Sequence, residues 1–160
     1  MMLRLSALTG LVGVLSFACL AEDAPLTFSA LFGTWKVERI VGSASVSGSD
    51  RSARAALGTT VTISADLIKT YEKYDDCKPH DPTILEVDTE AKLESEFDTR
   101  GDWLDLPKSM LKPRLPFLDA GCSYALVLDY DTLLWPVGNG YMYTLKRQHK
   151  MTNPPVNPRS

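Results

Sequence analysis

Short runs of alternating apolar and polar residues follow one another along this chain from residue 34 to residue 147. In the first run, the residues predicted to share one face are Trp35, Val37, Arg39 and Val41. Alternation with a period of two is typical of a strand with one buried face. The runs predict eight strands: Thr34–Val41, Thr59–Ser64, Leu67–Tyr74, Ile84–Asp88, Ala91–Phe97, Ser123–Tyr130, Asp131–Pro136 and Tyr141–Arg147.

Turn-forming residues separate these runs, at Ala65-Asp66, at 88–90 and in the sequence VGNG at 137–140. A series of about eight antiparallel strands without intervening long helices predicts an all-β sandwich or closed barrel. Two short helical pieces are also expected. Asp50–Leu57 has Asp50 as a candidate N-cap, and residues 102–112 have room for another turn or two between prolines.

The second and third runs predict which side chains face the interior. If Ser64 and Leu67 flank a two-residue turn, Ile63 pairs with Ile68 and Val61 with Thr70. Since Val61 and Ile63 face inward, the inward residues of the third run are Ile68, Thr70, Glu72 and Tyr74. The residues between them, including two lysines, are then expected to face solvent.

Two charged residues, Arg39 and Glu72, are therefore predicted to point into the interior, where an unpaired charge is costly. Two arrangements would satisfy them: an ion pair with each other, or a ligand carboxylate bound by Arg39. The alternative is a twist or bulge that turns Arg39 outward near the end of its strand.

The N-terminus has the layout of a secretory signal peptide. Arg4 precedes an uncharged apolar run from Leu5 to Leu20, which is short for a membrane span, and acidic residues end it. Cleavage after Ala21 divides the chain into a signal peptide (1–21), one domain (22–151) and a Pro- and Asn-rich tail (152–160). We expect a periplasmic or secreted protein. The alternative is a membrane-anchored lipoprotein with the lipid on Cys19.

Composition narrows the list of partners. Lys and Arg number 17 and Asp and Glu 20, for a formal net charge of −3, with no basic run. Such a chain is a poor candidate for binding nucleic acid or anionic membranes, so we expect membrane attachment only through lipidation of Cys19. Beyond the signal peptide, the cysteines are Cys77 and Cys122. In an oxidising compartment they are most simply one disulfide, and their spacing does not favour a reactive or metal-binding thiol pair.

The strand series, a Gly33-x-Trp35 motif at its start and Arg147 at the end of its last strand resemble the lipocalin (calycin) family. The resemblance implies an exported bacterial-type, eight-stranded up-and-down barrel that is open at one end. It implies that Trp35 packs across the closed end and that Arg147 stacks on its ring. A guanidinium over an indole contributes about 0.5–2 kcal/mol. Gly33 would let the chain bend tightly beside the ring.

Motifs for catalysis are not evident in the sequence. His80 and His149 have no nucleophile motif around them, so we predict no catalytic residues and no cofactor. The cluster Asp75, Asp76, His80 and Asp81 contains metal-ligand types but has no regular ligand spacing. We interpret it as a solvated turn held by the disulfide and predict no metal.

The sequence thus favours a non-enzymatic binding protein that holds a small apolar or amphipathic molecule in the barrel. The predicted ligand-binding residues are Arg39, Glu72, Tyr124 and Tyr143. One alternative is an inhibitor or immunity protein that acts on a cell-envelope enzyme through its acidic loops and residues 102–118. Another is a structural or lipid-anchored component of the envelope.

Overall fold

The structure is a computed structural model in which residues 25–45, 47–71, 76–137 and 140–149 are described. The elements in chain order are a 3₁₀ helix (Phe28–Leu31), β1 (Gly33–Ser43), α1 (Asp50–Ala56), β2 (Thr60–Ile63), β3 (Ile68–Lys69), β4 (Thr83–Asp88), α2 (Thr89–Glu96), a 3₁₀ turn (Gly101–Trp103), β5 (Arg114–Asp119), β6 (Tyr124–Asp129), β7 (Thr132–Pro136) and β8 (Tyr141–Arg147). The predicted signal peptide (1–21) and tail (152–160) lie outside the described residues. Within the described ranges, no helix is long and apolar enough to cross a membrane.

The eight strands form one antiparallel sheet in the order β3-β2-β1-β8-β7-β6-β5-β4. β1 pairs with β8, and Trp35 lies opposite Arg147 in that pairing. The first and last strands are therefore joined, whereas β3 and β4 are the two edges of the sheet. The sheet curls into a half-barrel, which confirms the predicted all-β, eight-stranded up-and-down fold with two short helices.

The strand predicted over Ala91–Phe97 is wrong, because these residues lie in α2 and its C-cap. The Asp88 carboxylate accepts a hydrogen bond from the Ala91 N–H at 2.9 Å and so caps the helix. Leu93 and Phe97, both buried, lie one helical turn apart on the same face. Ala91, Lys92 and Glu94 are good helix formers, so propensity and capping prevail over the apparent alternation.

The strand that the sequence pattern does not predict is β5 (Arg114–Asp119), which lies in a segment expected to be loop and helix. β5 contains Pro116, which lowers its resemblance to a strand. Its pairing with β6 covers Phe117–Asp119, so the N–H that Pro116 lacks is not needed on that side. Of the helix expected over 102–112, the structure has the 3₁₀ turn. The predicted first helix is confirmed as α1, although Ser49 rather than Asp50 is its N-cap.

Both faces of the sheet are covered. The residues of the first cluster, the inner core, include Leu31, Trp35, Val37, Ala53, Ala56, Val61, Ile63, Ile68, Leu118, Ala125, Leu133, Trp135, Tyr143 and Leu145. Because side chains from strands near both sheet edges meet there, this is the concave face. The outer core lies on the other face, under α2 and residues 97–111, and includes Val41, Leu93, Phe97, Leu104, Leu115, Phe117, Leu126, Leu134 and Met142.

Two irregularities in β1 change the faces predicted for its second half. The register with β8 shifts between Val37 and Arg39, and again between Ile40 and Gly42. Each shift interrupts the alternation of side chains. Val41 therefore packs in the outer core, and Arg39 leaves the face of Trp35 and Val37. The expectation that all four residues share one face is correct for Trp35 and Val37 and wrong for Arg39 and Val41.

Candidate functional site

One end of the half-barrel, the closed end, is formed by the start of β1, the end of β8, the β6–β7 turn and the 3₁₀ helix at Phe28–Leu31. Trp35 is fully buried there, and its Nε1 donates to the carbonyl of Leu31 at 2.9 Å. The guanidinium carbon of Arg147 lies 4.2 Å from the centroid of the Trp35 ring. The predicted stacking of Arg147 on Trp35, and the pairing of the last strand with the first, are confirmed.

Arg147 also ties backbone segments together at this end. Its guanidinium donates to the carbonyls of Ala30 at 2.8 Å, Phe32 at 3.1 Å and Tyr130 at 3.2 Å. Ala30 and Phe32 belong to the turn that leads into β1, and Tyr130 to the β6–β7 turn. One side chain thus joins three parts of the chain, and a planar guanidinium with five donors suits this task.

Gly33 provides the bend that this end requires. Its φ of +135° lies in a region that side-chain-bearing residues rarely adopt. A Cβ added at this position would lie 3.7 Å from a terminal nitrogen of Arg147. The backbone conformation, rather than lack of space, therefore explains the glycine, in agreement with its predicted role.

The opposite end, the open end, is formed by the end of β7, the β5–β6 turn and the residues that follow β3. A cavity of about 370 Å³ opens there on the concave face. Its apolar floor contains Val37, Val61 and Leu145, and Trp135 and Val137 form part of its wall. The remaining lining residues are Thr70, Tyr71, Asp76, Cys77, Cys122, Ser123, Tyr124 and Pro136. The half-barrel is therefore a cup with an apolar base and a polar rim.

Residues 76–82 connect toward β4, and Asp76 and Cys77 at the start of this segment line one side of the cup. Cys77 pairs with Ile68 of β3 through two backbone hydrogen bonds of 2.8 and 2.9 Å. On the other side, Cys77 forms a disulfide with Cys122, with the two Cα atoms 5.9 Å apart. The predicted disulfide is thus present, and it joins the segment after β3 to the β5–β6 turn across the gap between the sheet edges. A further bond runs from the His80 N–H to the Ala120 carbonyl at 3.0 Å.

The cup holds one fixed carboxylate among its described lining residues. Asp76 accepts a hydrogen bond from the Thr70 N–H at 2.8 Å, through Oδ1. Thr70 lines the cavity, in agreement with its predicted inward position. Tyr71, expected to face solvent, instead packs against the inner core, because β3 ends at Lys69 and the alternation does not continue.

Tyr124 lines the cup, but its ring lies mainly in the outer core. The ring packs edge-on against Phe97, with centroids 5.2 Å apart, and its hydroxyl donates to the Glu96 carbonyl at 2.7 Å. Burial, together with the negative charge of Glu96, raises the pKa of the Tyr124 hydroxyl above its ordinary value of 10.0. Tyr124 is therefore a wall of the cup that also anchors α2 to the sheet.

Tyr143 is fully buried in the inner core and is not among the residues that line the cup. Its hydroxyl donates to the Ala53 carbonyl of α1 at 3.3 Å. Nearby, the Tyr141 hydroxyl bonds the Asp50 carboxylate at 2.6 Å, which raises the pKa of Tyr141. α1 thus occupies part of the concave face, and the cup is the space that α1 leaves open.

Arg39 does not reach the cup. After the first irregularity in β1 its side chain points outward, donates to the Asp105 carbonyl and lies 3.5 Å from the Asp105 carboxylate. This is the alternative in which a bulge turns Arg39 out, so the predicted interior position of Arg39 is wrong. Glu72, the other charged residue predicted to bind a ligand, lies outside the described residues.

The histidines and acidic residues considered as catalytic or metal-binding candidates do not come together in one site within the described residues. His80 and Asp81 form an exposed pair with 3.4 Å between Nε2 and Oδ2, and His149 lies 3.3 Å from Asp131 at the closed end. Across the described ranges, no group of three or more metal-ligating side chains comes together. Asp75, from the predicted acidic turn, is outside those ranges.

Sequence reasoning missed Asp76 as a cup residue, and also Trp135 and Val137. The sequence pattern assigns Asp76 to an acidic turn, although its position beside Cys77 places it at the cross-link. The continuous apolar run at Thr132–Pro136 was the available signal for the other two. A run without alternation is typical of a strand buried on both faces, which β7 is.

No protein-family model matches this chain, and no curated protein or solved structure is significantly similar to it. The fold class therefore rests on the strand order and pairing described above. The lipocalin resemblance remains a hypothesis that the closed-end residues motivated.

Proposed function

We propose that this chain is an exported, non-enzymatic binding protein that holds a small apolar or amphipathic molecule in the cup at its open end. The observation that carries this proposal is the cavity of about 370 Å³ over an apolar floor. Its volume falls in the range of about 300–1,000 Å³ that small-molecule sites occupy. The lipocalin-like closed end supports the proposal, since a barrel joined firmly at one end leaves the other free to bind.

Export is supported by the disulfide, because such bonds persist in oxidising compartments. We propose a periplasmic or secreted protein, with residues 1–21 removed. The intact mass of protein purified from its own source tests this. A mass that corresponds to a chain starting at Glu22 supports plain export. A mass that corresponds to a chain starting at Cys19 with an attached lipid supports the membrane-anchored alternative.

Two measurements test binding. Native mass spectrometry of protein from its own source shows whether a small molecule copurifies. Fluorescence titration with the neutral apolar probe N-phenyl-1-naphthylamine then measures occupancy of the cup directly. We expect saturable binding by the wild type and weaker binding by Val137→Trp, which places a large ring in the cup wall. Leu57→Trp is the control, because Leu57 is exposed and does not line the cup. Absence of both saturable binding and a copurified molecule would refute the proposal.

A second candidate, an inhibitor or immunity protein for a cell-envelope enzyme, is favoured by one specific observation. Trp103 lies in the segment proposed for that contact, and 56% of its surface is exposed. An exposed tryptophan is a common anchor at protein interfaces. Inhibition of a cell-wall hydrolase by the wild type but not by Trp103→Ala would support this function. Inhibition that Trp103→Ala leaves unchanged, or no inhibition, would argue against it.

A further inference from the structure

The charge of the cup bears on the kind of molecule it accepts. With Arg39 outside, no lysine or arginine is among its described lining residues, and Asp76 is the one carboxylate. The other ionisable side chains there are the tyrosines Tyr71 and Tyr124, because both cysteines are in the disulfide. The described wall of the cup is therefore net negative, which is the reverse of what the predicted interior arginine would have produced.

The Asp76 carboxylate is held in place with acceptor capacity left over. Its Oδ1 accepts the Thr70 N–H, which orients the side chain from a residue that itself lines the cup. In the described part of the chain, no lysine, arginine or histidine forms an ion pair with Asp76. A carboxylate has about four lone-pair sites, so Oδ2 remains able to accept from a ligand.

A fixed carboxylate beside an apolar floor discriminates between ligand head groups. A protonated amine would donate a charge-assisted hydrogen bond to the Asp76 carboxylate, whereas a carboxylate head group would face a like charge. We propose that the cup selects amphipathic molecules with a protonated amine, with the amine at Asp76 and the apolar body against the half-buried Pro136 and Val137 of the wall. This inference rests on the proposed binding function and specifies its ligand class.

Displacement of N-phenyl-1-naphthylamine by two matched chains tests the selection at pH 7. Decylamine is the cationic competitor and decanoate the anionic one, both below their micelle concentrations. We expect decylamine to bind the wild type about tenfold more tightly than decanoate, a ratio that corresponds to about 1.4 kcal/mol. In Asp76→Asn the ratio should fall to near one. The amide oxygen of asparagine can still accept the Thr70 N–H, so this change removes the charge and retains the positioning bond.

Asp81→Asn is the matched control. Asp81 lies on the same segment, its side chain is 92% exposed, and it does not line the cup. Its φ of 46° is one that asparagine also tolerates. The substitution removes the same unit of charge and should leave the tenfold ratio unchanged. Thermal melting of both variants verifies that they fold.

The outcomes separate the two proposals. If the probe binds and decylamine and decanoate compete equally, or decanoate competes better, the amine selection is overturned and the binding function stands. If Asp81→Asn abolishes the ratio as fully as Asp76→Asn, general charge rather than Asp76 is responsible, and the assignment to Asp76 is overturned. If neither the probe nor either chain binds the wild type, the binding function fails, and the selection fails with it.

Discussion

The closed end and the open end of the half-barrel both join strands that are distant in sequence, but they do so with different chemistry. At the closed end, Arg147 stacks on the buried Trp35 ring and donates to three backbone carbonyls. At the open end, the Cys77–Cys122 disulfide and a few backbone bonds hold residues 76–82 against the β5–β6 turn. On the concave face, the fully buried Trp35 ring lies at the first end, and a cavity of about 370 Å³ opens at the second.

The difference shows how one small domain can combine a packed end with an open cavity. An unfilled volume forgoes the dispersion contacts that packed side chains would make. A disulfide stabilises mainly by restricting the unfolded chain, so it can join strands without filling the space between them. We infer that side-chain packing at the closed end supplies much of the stability. The disulfide then offsets the packing contacts that are missing at the cup. The predictions below test that division.

Trp35→Ala should produce the largest effect. It removes a fully buried indole, its bond to Leu31 and the surface on which Arg147 stacks. We expect a loss of about 3–5 kcal/mol in the free energy of unfolding, measured by denaturant titration. Trp103→Ala, at an exposed tryptophan, is the control and should cost far less. Equal losses in the two variants would contradict the role given to the closed end.

Removal of the disulfide should produce the next largest effect. The double variant Cys77→Ser, Cys122→Ser opens a loop whose ends are 45 residues apart in sequence. We expect a loss of about 2–4 kcal/mol, and a wild type treated with excess dithiol should behave alike. The dithiol should not change the double variant, which serves as the control. An effect below about 1 kcal/mol would show that the backbone bonds alone hold the open end.

Arg147→Met should cost about 1–2 kcal/mol, because it removes the cation–π contact and the bonds to backbone carbonyls while keeping some of the stem packing. Arg147→Lys should recover part of this loss, since it restores the charge but not the planar set of donors. Neither change should alter the affinity for N-phenyl-1-naphthylamine when it is measured at a temperature at which each variant is fully folded. A large change in that affinity would mean that the two ends are coupled.

Tyr124→Phe should produce the smallest effect, and that effect should be present in full at neutral pH. The lost bond to the Glu96 carbonyl should cost about 1 kcal/mol or less. The raised pKa of Tyr124 means that the folded state favours the neutral hydroxyl, so its contribution is complete below pH 10.0 and is lost as pH rises through the folded pKa.

Unfolding free energies measured at about pH 8 and about pH 10.5 test this dependence. The wild type should lose more stability between the two pH values than Tyr124→Phe does. Tyr130→Phe is the control, because the Tyr130 side chain is 66% exposed. If Tyr124→Phe retains the full pH dependence of the wild type, ionisation of Tyr124 does not contribute to it.

Much of the architecture could be predicted from local pattern. Seven of the eight strands were found, because their alternation and their turns act over a few residues. The limit of local pattern is that it predicts a strand where α2 lies and does not predict β5. Over a short run such as Ala91–Phe97, apolar residues two and four apart fit either a strand or a helix. The Asp88 cap was a local signal that decided the matter, whereas β5 owes its extended form to pairing with β4 and β6.

The candidate site was less predictable than the fold. Trp35, Arg147 and the cysteine pair were found because each depends on residue type at a position that the strand series already set. Arg39 was placed wrongly because one irregularity in a strand reverses every later side chain, and the irregularity arises from pairing with β8, 100 or so residues away. No pattern within β1 itself specifies such a shift.

By itself, the sequence determined the β class of this protein, its paired cysteines and the residues of its closed end, since these follow from periodicity and a few distinctive side chains. Only the tertiary structure decided where the open space lies and which charge it contains. The cup exists because α1 covers part of the concave face and because Asp76 and Cys77 line one side of it. Asp76 faces that space because Thr70 and the neighbouring disulfide hold it there, and such contacts form only when the sheet has curled.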